Sequence, residues 1–171
     1  MDKILVVRSE RCMACKTCVL ECAAAHSEEK TLESAVNAEE IRFPRIILEY
    51  EESETFPIHC RHCKDAPCIA VCPTQAMSRP NEESPVILNR DKCIGCNACI
   101  IVCPFGVIKR DSDGKTLTKC DLCYERLEEG KDPACAAGCP TGAIKYVEVS
   151  ELNLEKRKES IRKYKVSLEK G

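Results

Sequence analysis

The sequence has 171 residues, a formal net charge of −2 and sixteen cysteines, but only four Tyr, three Phe and no Trp. So short a chain, so poor in large side chains, builds one or two small domains that need staples beyond an apolar core. The near-neutral charge gives no footprint for nucleic acid, the apolar run at residues 4–7 is too short for a signal-peptide core, and no run approaches the roughly 20 apolar residues that span a bilayer.

Residues 3–8 are predicted as a strand leading into a first cysteine run, Cys12-x2-Cys15-x2-Cys18-x3-Cys22. Ala23 follows this run where proline follows the other three, so helix is expected to continue through Ala25. Residues 28–40 are polar and acidic, with weak helical character. Residues 42–50 read as a strand with Pro44 at its start or at a bend, and Glu51, Glu52 and Glu54 as an exposed turn. The second run is Cys60-x2-Cys63-x4-Cys68-x3-Cys72-Pro73. A strand at 86–89 enters the third, Cys93-x2-Cys96-x2-Cys99-x3-Cys103-Pro104. A strand at 107–110 and a turn at 111–114 lead to the fourth, Cys120-x2-Cys123-x11-Cys135-x3-Cys139-Pro140. Residues 143–149 are a final strand, and 150–170 a charged segment with helical pattern.

Four runs of four use all sixteen cysteines. Without a secretion signal, clustered cysteines point to metal rather than disulfides, and to a cytoplasmic setting. The third run has the spacing of bacterial ferredoxins, in which three close thiolates hold one [4Fe–4S] cluster and the fourth reaches a neighbouring one. The segments after Cys72, Cys103 and Cys139 share C-P-[TF]-[QG]-[AV]-[MI], an internal repeat in which the chain leaves a cluster, turns and enters a strand. Reciprocal pairing of runs two and three assigns Cys60, Cys63, Cys68 and Cys103 to one cluster and Cys93, Cys96, Cys99 and Cys72 to another. Runs one and four then give Cys12, Cys15, Cys18 and Cys139 for a third, and Cys120, Cys123, Cys135 and Cys22 for a fourth. The expected fold is α+β: two dicluster-ferredoxin-like modules of short antiparallel strands and short helices, one inserted in the other. The outer module takes residues 1–56 and 111–149, the inner one 57–110, and 150–171 form a helical tail.

Structural zinc is the alternative for such knuckles, but zinc gains nothing from a third cysteine two residues further on. Gly95 and Ala14 lie between ligands, where backbone N–H groups can approach cluster sulfurs. His26, His59 and His62 are expected at the surface or hydrogen-bonded near a cluster, not as ligands. Lys16, Lys92 and Lys119 flank ligands and are expected to be solvated, with raising a local potential as the other reading. The tail carries Ile161, Tyr164 and Leu168 at helical spacing, a stripe expected to pack on its own chain or on a protein partner. No nucleophile–base pair, phosphate loop or nucleotide fingerprint is present. Fully ligated clusters leave one-electron transfer as the chemistry, so no catalytic residue is expected.

With these runs the chain resembles the four-cluster electron-transfer subunits of the dimethyl-sulfoxide-reductase type. Relatives of that kind accompany formate dehydrogenases, hydrogenases, tungsten aldehyde oxidoreductases and carbon monoxide dehydrogenases. Residues 12–18 with His26-Ser27, and Cys60-Arg61-His62-Cys63, are most similar to the CooF-type subunits that serve carbon monoxide dehydrogenase. The resemblance implies four [4Fe–4S] clusters, a catalytic redox subunit as partner, and a second electron carrier or flavoprotein.

Overall fold

The computed structural model describes residues 2–39 and 43–168, with only the backbone at 167 and 168. Among the described residues, eight strands form four two-stranded antiparallel ribbons. The strands are β1 (Lys3–Val7), β2 (Ile47–Glu51), β3 (Glu54–Ile58), β4 (Met77–Ser78), β5 (Ile87–Leu88), β6 (Lys109–Arg110), β7 (Leu117–Thr118) and β8 (Ile144–Glu148). Each cysteine run has one strand before it and one after it. The strand leaving each run pairs with the strand entering the next: β2 with β3, β4 with β5, β6 with β7. The circle closes where β8, after the last run, pairs with β1, before the first, in the register Lys3↔Glu148 to Val7↔Ile144. The ribbons β2–β3 and β6–β7 cross the boundaries expected at 56/57 and 110/111, and so tie the two halves together.

Most of the helices are short, and several of them carry cysteines of a run. They are α1 (Thr17–Ala25), α2 (Leu32–Asn37), α3 (Pro67–Ala70), α4 (Ala98–Val102), α5 (Tyr124–Glu128), α6 (Ala134–Ala137) and the longer α7 (Val149–Leu168). Helix α3 opens with Pro67, whose fixed φ suits a first turn. Helix α1 runs on to Ala25, as the missing proline implied. Thr31 caps α2 by accepting from the Ser34 N–H at 3.1 Å, which fixes the weak helix expected in that acidic stretch.

Two readings need correction. The strand expected over 42–50 begins only at Ile47; Arg42 lies outside the described residues. Pro44 offers no N–H, and the Arg45 N–H is turned to the Cys22 sulfur at 3.2 Å instead of to a ladder. Of the two places expected for the tail stripe, its own chain does not bury it at Ile161 or Tyr164. Leu152, near the base of α7, is buried, but Ile161 and Tyr164 are exposed, and the Leu168 side chain lies outside the described residues. Strand β3 went unread because Pro57 argues against a central strand, but a two-stranded ribbon is all edge and tolerates it.

The core is divided among three patches, each including cysteines. Leu5, Ile46, Leu122 and Ile144 pack with Cys18, Cys22 and Cys135. Met77, Ile108 and Leu117 pack with Cys99, bordered by Cys68, Cys72, Cys93 and Cys103. Val107 packs with Cys60 and Cys120, bordered by Cys103. Two-residue ribbons are not stable alone, so burial around the cysteines supports the fold.

Candidate metal centre

A repeated backbone device shapes every run. The residue before the second cysteine is left-handed in all four: Ala14, His62, Gly95 and Leu122. In runs one and three, Lys16 and Asn97 after that cysteine are left-handed too, at the starts of α1 and α4. Such turns point successive N–H groups into a concavity that suits anionic sulfur. The N–H groups of His62 and Leu122 donate to the Cys60 and Cys120 sulfurs, each at 3.4 Å. Gly95 is held by more than φ. A Cβ there would collide with the Lys115 carbonyl oxygen, so the close approach expected at this glycine is to backbone. Gly95→Ala is expected to cost about 3 kcal/mol, from left-handed strain and overpacking together. The check is a lower temperature of thermal unfolding, with Gly106→Ala, where a Cβ meets open space, losing only the left-handed part.

Two cavities are each lined by four thiols. Cys72, Cys93, Cys96 and Cys99 line one cavity. Cys60, Cys63, Cys68 and Cys103 line another. Around Cys18, burial and then the sulfurs of Cys12, Cys139 and Cys15 push its thiol pKa up to about 11. Cys135 is pushed up by burial and then by Cys120, Cys123 and Cys22, with Cys18 next. Neighbouring fours touch. Cys68 is the first sulfur felt by Cys99, and Cys60 and Cys120 share a core patch. All sixteen thiols are free of disulfides.

In three of the runs the fourth cysteine has donors around its sulfur. Cys72 accepts from the Met77 N–H at 3.5 Å, with the Thr74 hydroxyl at 3.8 Å. Burial raises the Cys72 pKa, but these groups and the Ala76 N–H outweigh it, and the net shift is down. Cys139 repeats this with Ile144, Thr141 and Ala143. The threonines were not read as functional, although the repeated C-P-T carried the signal. Cys22 has no such turn, since Ala23 keeps it in helix. Its donors come from elsewhere: the Arg45 N–H, and His26 one helical turn on, whose Nδ1 lies 3.7 Å from the sulfur. Here too burial raises the thiol, and His26 and the backbone bring it down.

His26 belongs to a network. Its Nε2 lies 3.0 Å from Asp121 Oδ1, the Asp121 carboxylate pairs with Arg45, and the Cys123 N–H donates to Asp121 at 3.0 Å. His26, Asp121 and Cys123 place their ligating atoms within 4.8 Å of one another. Burial opposes charge on His26, but its hydrogen bonds, first to Asp121, push its pKa up to about 12. His59 and His62 are not at the surface. Both are buried, and each has an Nε2 without a protein partner. The His62 Nδ1 accepts from the Val86 N–H at 3.0 Å, so its proton sits on Nε2. Lys16 and Lys92 are exposed as expected, whereas Lys119 is buried.

This donor set fits iron–sulfur groups. Thiolates in fours, backbone N–H groups aimed at sulfur and a buried imidazole donor lacking a protein acceptor are the surroundings such groups require. A model of the 4Fe-4S dicluster domain matches residues 51–149, and one of the 4Fe-4S binding domain matches residues 9–25. The chain belongs to the 4Fe-4S dicluster domain family. Among its relatives is the electron transport protein HydN of Escherichia coli strain K12, 34% identical over 176 residues, which covers 92% of this chain and 97% of HydN. Another is a subunit of the anaerobic dimethyl sulfoxide reductase of Haemophilus influenzae, 36% identical over 160 residues, or 84% of this chain and 73% of that subunit. This dicluster-family chain is a ferredoxin-like iron–sulfur electron-transfer protein related to the subunits of that reductase family. None of its described helices is long and apolar enough to cross a membrane.

Proposed function

We propose that the chain relays single electrons through four [4Fe–4S] clusters between a catalytic redox enzyme and a second carrier. Its ligands are Cys12, Cys15, Cys18 and Cys139; Cys60, Cys63, Cys68 and Cys103; Cys72, Cys93, Cys96 and Cys99; and Cys22, Cys120, Cys123 and Cys135. A [4Fe–4S] group supplies reversible one-electron chemistry; the chain fixes spacing, polarity and access. The observation that carries this reading is the exchange of fourth cysteines: Cys103 lines the cavity of run two, and Cys72 that of run three. It favours an inner module at 57–110, set within an outer one at 1–56 and 111–149, with 150–171 as a tail. The touching fours suggest a linear order from the Cys96 end, through the groups of Cys68 and then Cys120, to the Cys15 end. Cys15 and Cys96 are the exposed cysteines, and beside them Met13 and Ile94 are 63% and 66% exposed. These two ends are where partners dock.

The Haemophilus relative, named as a dimethyl sulfoxide reductase subunit, supports a catalytic partner of the reductase group, while hydrogenase, formate dehydrogenase and tungsten aldehyde oxidoreductase rest on the resemblance of the cysteine runs. Neither of the relatives named above carries carbon monoxide dehydrogenase in its name, and pairing with that enzyme rests on the short similarity at residues 12–18 and 60–63. The chain loaded anaerobically with iron and sulfide should take up about four electrons, one for each cluster, and pass them to a one-electron dye. Turnover of formate, hydrogen, carbon monoxide or dimethyl sulfoxide by the chain alone contradicts the relay.

A further inference from the structure

Lys119 is 3% exposed, so the amine at the end of its flexible stem sits inside the protein. Its ammonium donates to the Val86 carbonyl and, at 2.7 Å, to that of Cys120. Among the described residues no carboxylate pairs with it. Its near neighbour Asp121 is held by Arg45 and His26. A buried cation with only carbonyl partners is strongly unfavourable unless an anion compensates it. Its two carbonyl partners border two different groups of cysteines: Val86 lines the cavity of Cys60, Cys63, Cys68 and Cys103, and Cys120 is itself a cysteine of the fourth run. Burial pushes the Cys68 thiol up, and Lys119 pulls it down. At Cys120 burial again leads, and Lys119 again opposes it. The two runs meet at this point, in the patch formed by Cys60, Val107 and Cys120.

We propose that Lys119 is the buried counter-cation shared by the two inner clusters, those of Cys60, Cys63, Cys68 and Cys103 and of Cys22, Cys120, Cys123 and Cys135, and that it raises their reduction potentials. This rests on the four-cluster reading. Reduction adds one negative charge to a cluster, and a fixed cation nearby stabilises that charge, a recognised lever on such potentials. No proton needs to move. The outer clusters lie further from Lys119 and feel it less. Electrons then settle first in the middle of the chain, with the Cys15 and Cys96 ends as lower-potential entry and exit points.

The test is a redox titration followed by electron paramagnetic resonance on the full chain, loaded anaerobically, as wild type, Lys119→Gln and Lys119→Arg. A unit charge about 10 Å away at an effective dielectric of ~20 shifts a one-electron equilibrium by about tenfold or more, that is ~59 mV. Lys119→Gln should keep its iron and lower two of the four couples by at least that much, while Lys119→Arg stays close to wild type. Full loading of Lys119→Gln with four unshifted couples overturns the proposal, and so do equal shifts in both variants. If Lys119→Gln fails to load, Lys119→Arg decides. Loading with wild-type potentials supports a need for the charge; failure of both marks a packing role and overturns it. Wild-type iron content tests the four-cluster reading separately, so the two failures are distinguishable.

Discussion

Stripping the iron with a chelator under reducing conditions is expected to unfold the chain rather than leave an empty scaffold. The three core patches all include cysteines, and two of the four ribbons have strands of two residues. Seven non-glycine residues beside or among the ligands are left-handed: Ala14, Lys16, His62, Gln75, Asn97, Leu122 and Cys123. Each costs on the order of 1–2 kcal/mol in an isolated chain, and the turns they form serve to aim N–H groups at sulfur. Structural zinc contributes roughly 10–16 kcal/mol to the folding of small metal-dependent domains, as much as the whole stability of an ordinary domain, about 5–15 kcal/mol, and thiolate-held clusters are expected to act in the same way. Far-ultraviolet circular dichroism should collapse together with the visible absorbance. A metal-free chain that keeps its spectrum and melts cooperatively contradicts this.

Cys103→Ala should remove the cluster of Cys60, Cys63 and Cys68, although those residues lie far away in sequence and Cys103 ends a different run. About a quarter of the iron should be lost, one [4Fe–4S] cluster of four. Double variants show which cluster has gone. Cys103→Ala combined with Cys60→Ala should lose no more iron than either alone. Combined with Cys93→Ala it should lose about twice as much. The opposite pattern, with Cys103 coupled to Cys93, means that each run fills its own cluster. Cys72→Ala, on the same logic, couples to Cys93 and not to Cys60.

The parts legible in the sequence are those set by local spacing. The cysteine runs, the strand after each C-P turn and the persistence of α1 past Ala23 follow from a few adjacent residues. What was not legible depends on partners distant in the chain. Ala23 showed that run one ends differently, but not that His26 and the Arg45 N–H would supply the donors that a C-P-T turn gives Cys72 and Cys139. Nothing in the sequence marked Asp121, which lies between Cys120 and Cys123. It is the hub joining His26 and Arg45 across 95 and 76 residues of sequence. Lys119 looked like a solvated neighbour of Cys120, because a lysine's burial depends on what folds over it, here the Val86 segment. The tail has an apolar stripe, but a stripe does not say what covers it, and its members Ile161 and Tyr164 are exposed.

The most direct measurement is the iron and acid-labile sulfide content per chain after anaerobic purification. Sixteen cysteines in four fours lead to about sixteen iron and about sixteen sulfide, with no zinc. About eight of each, with two fours left as free thiols, or zinc in place of iron, contradicts the four-cluster relay.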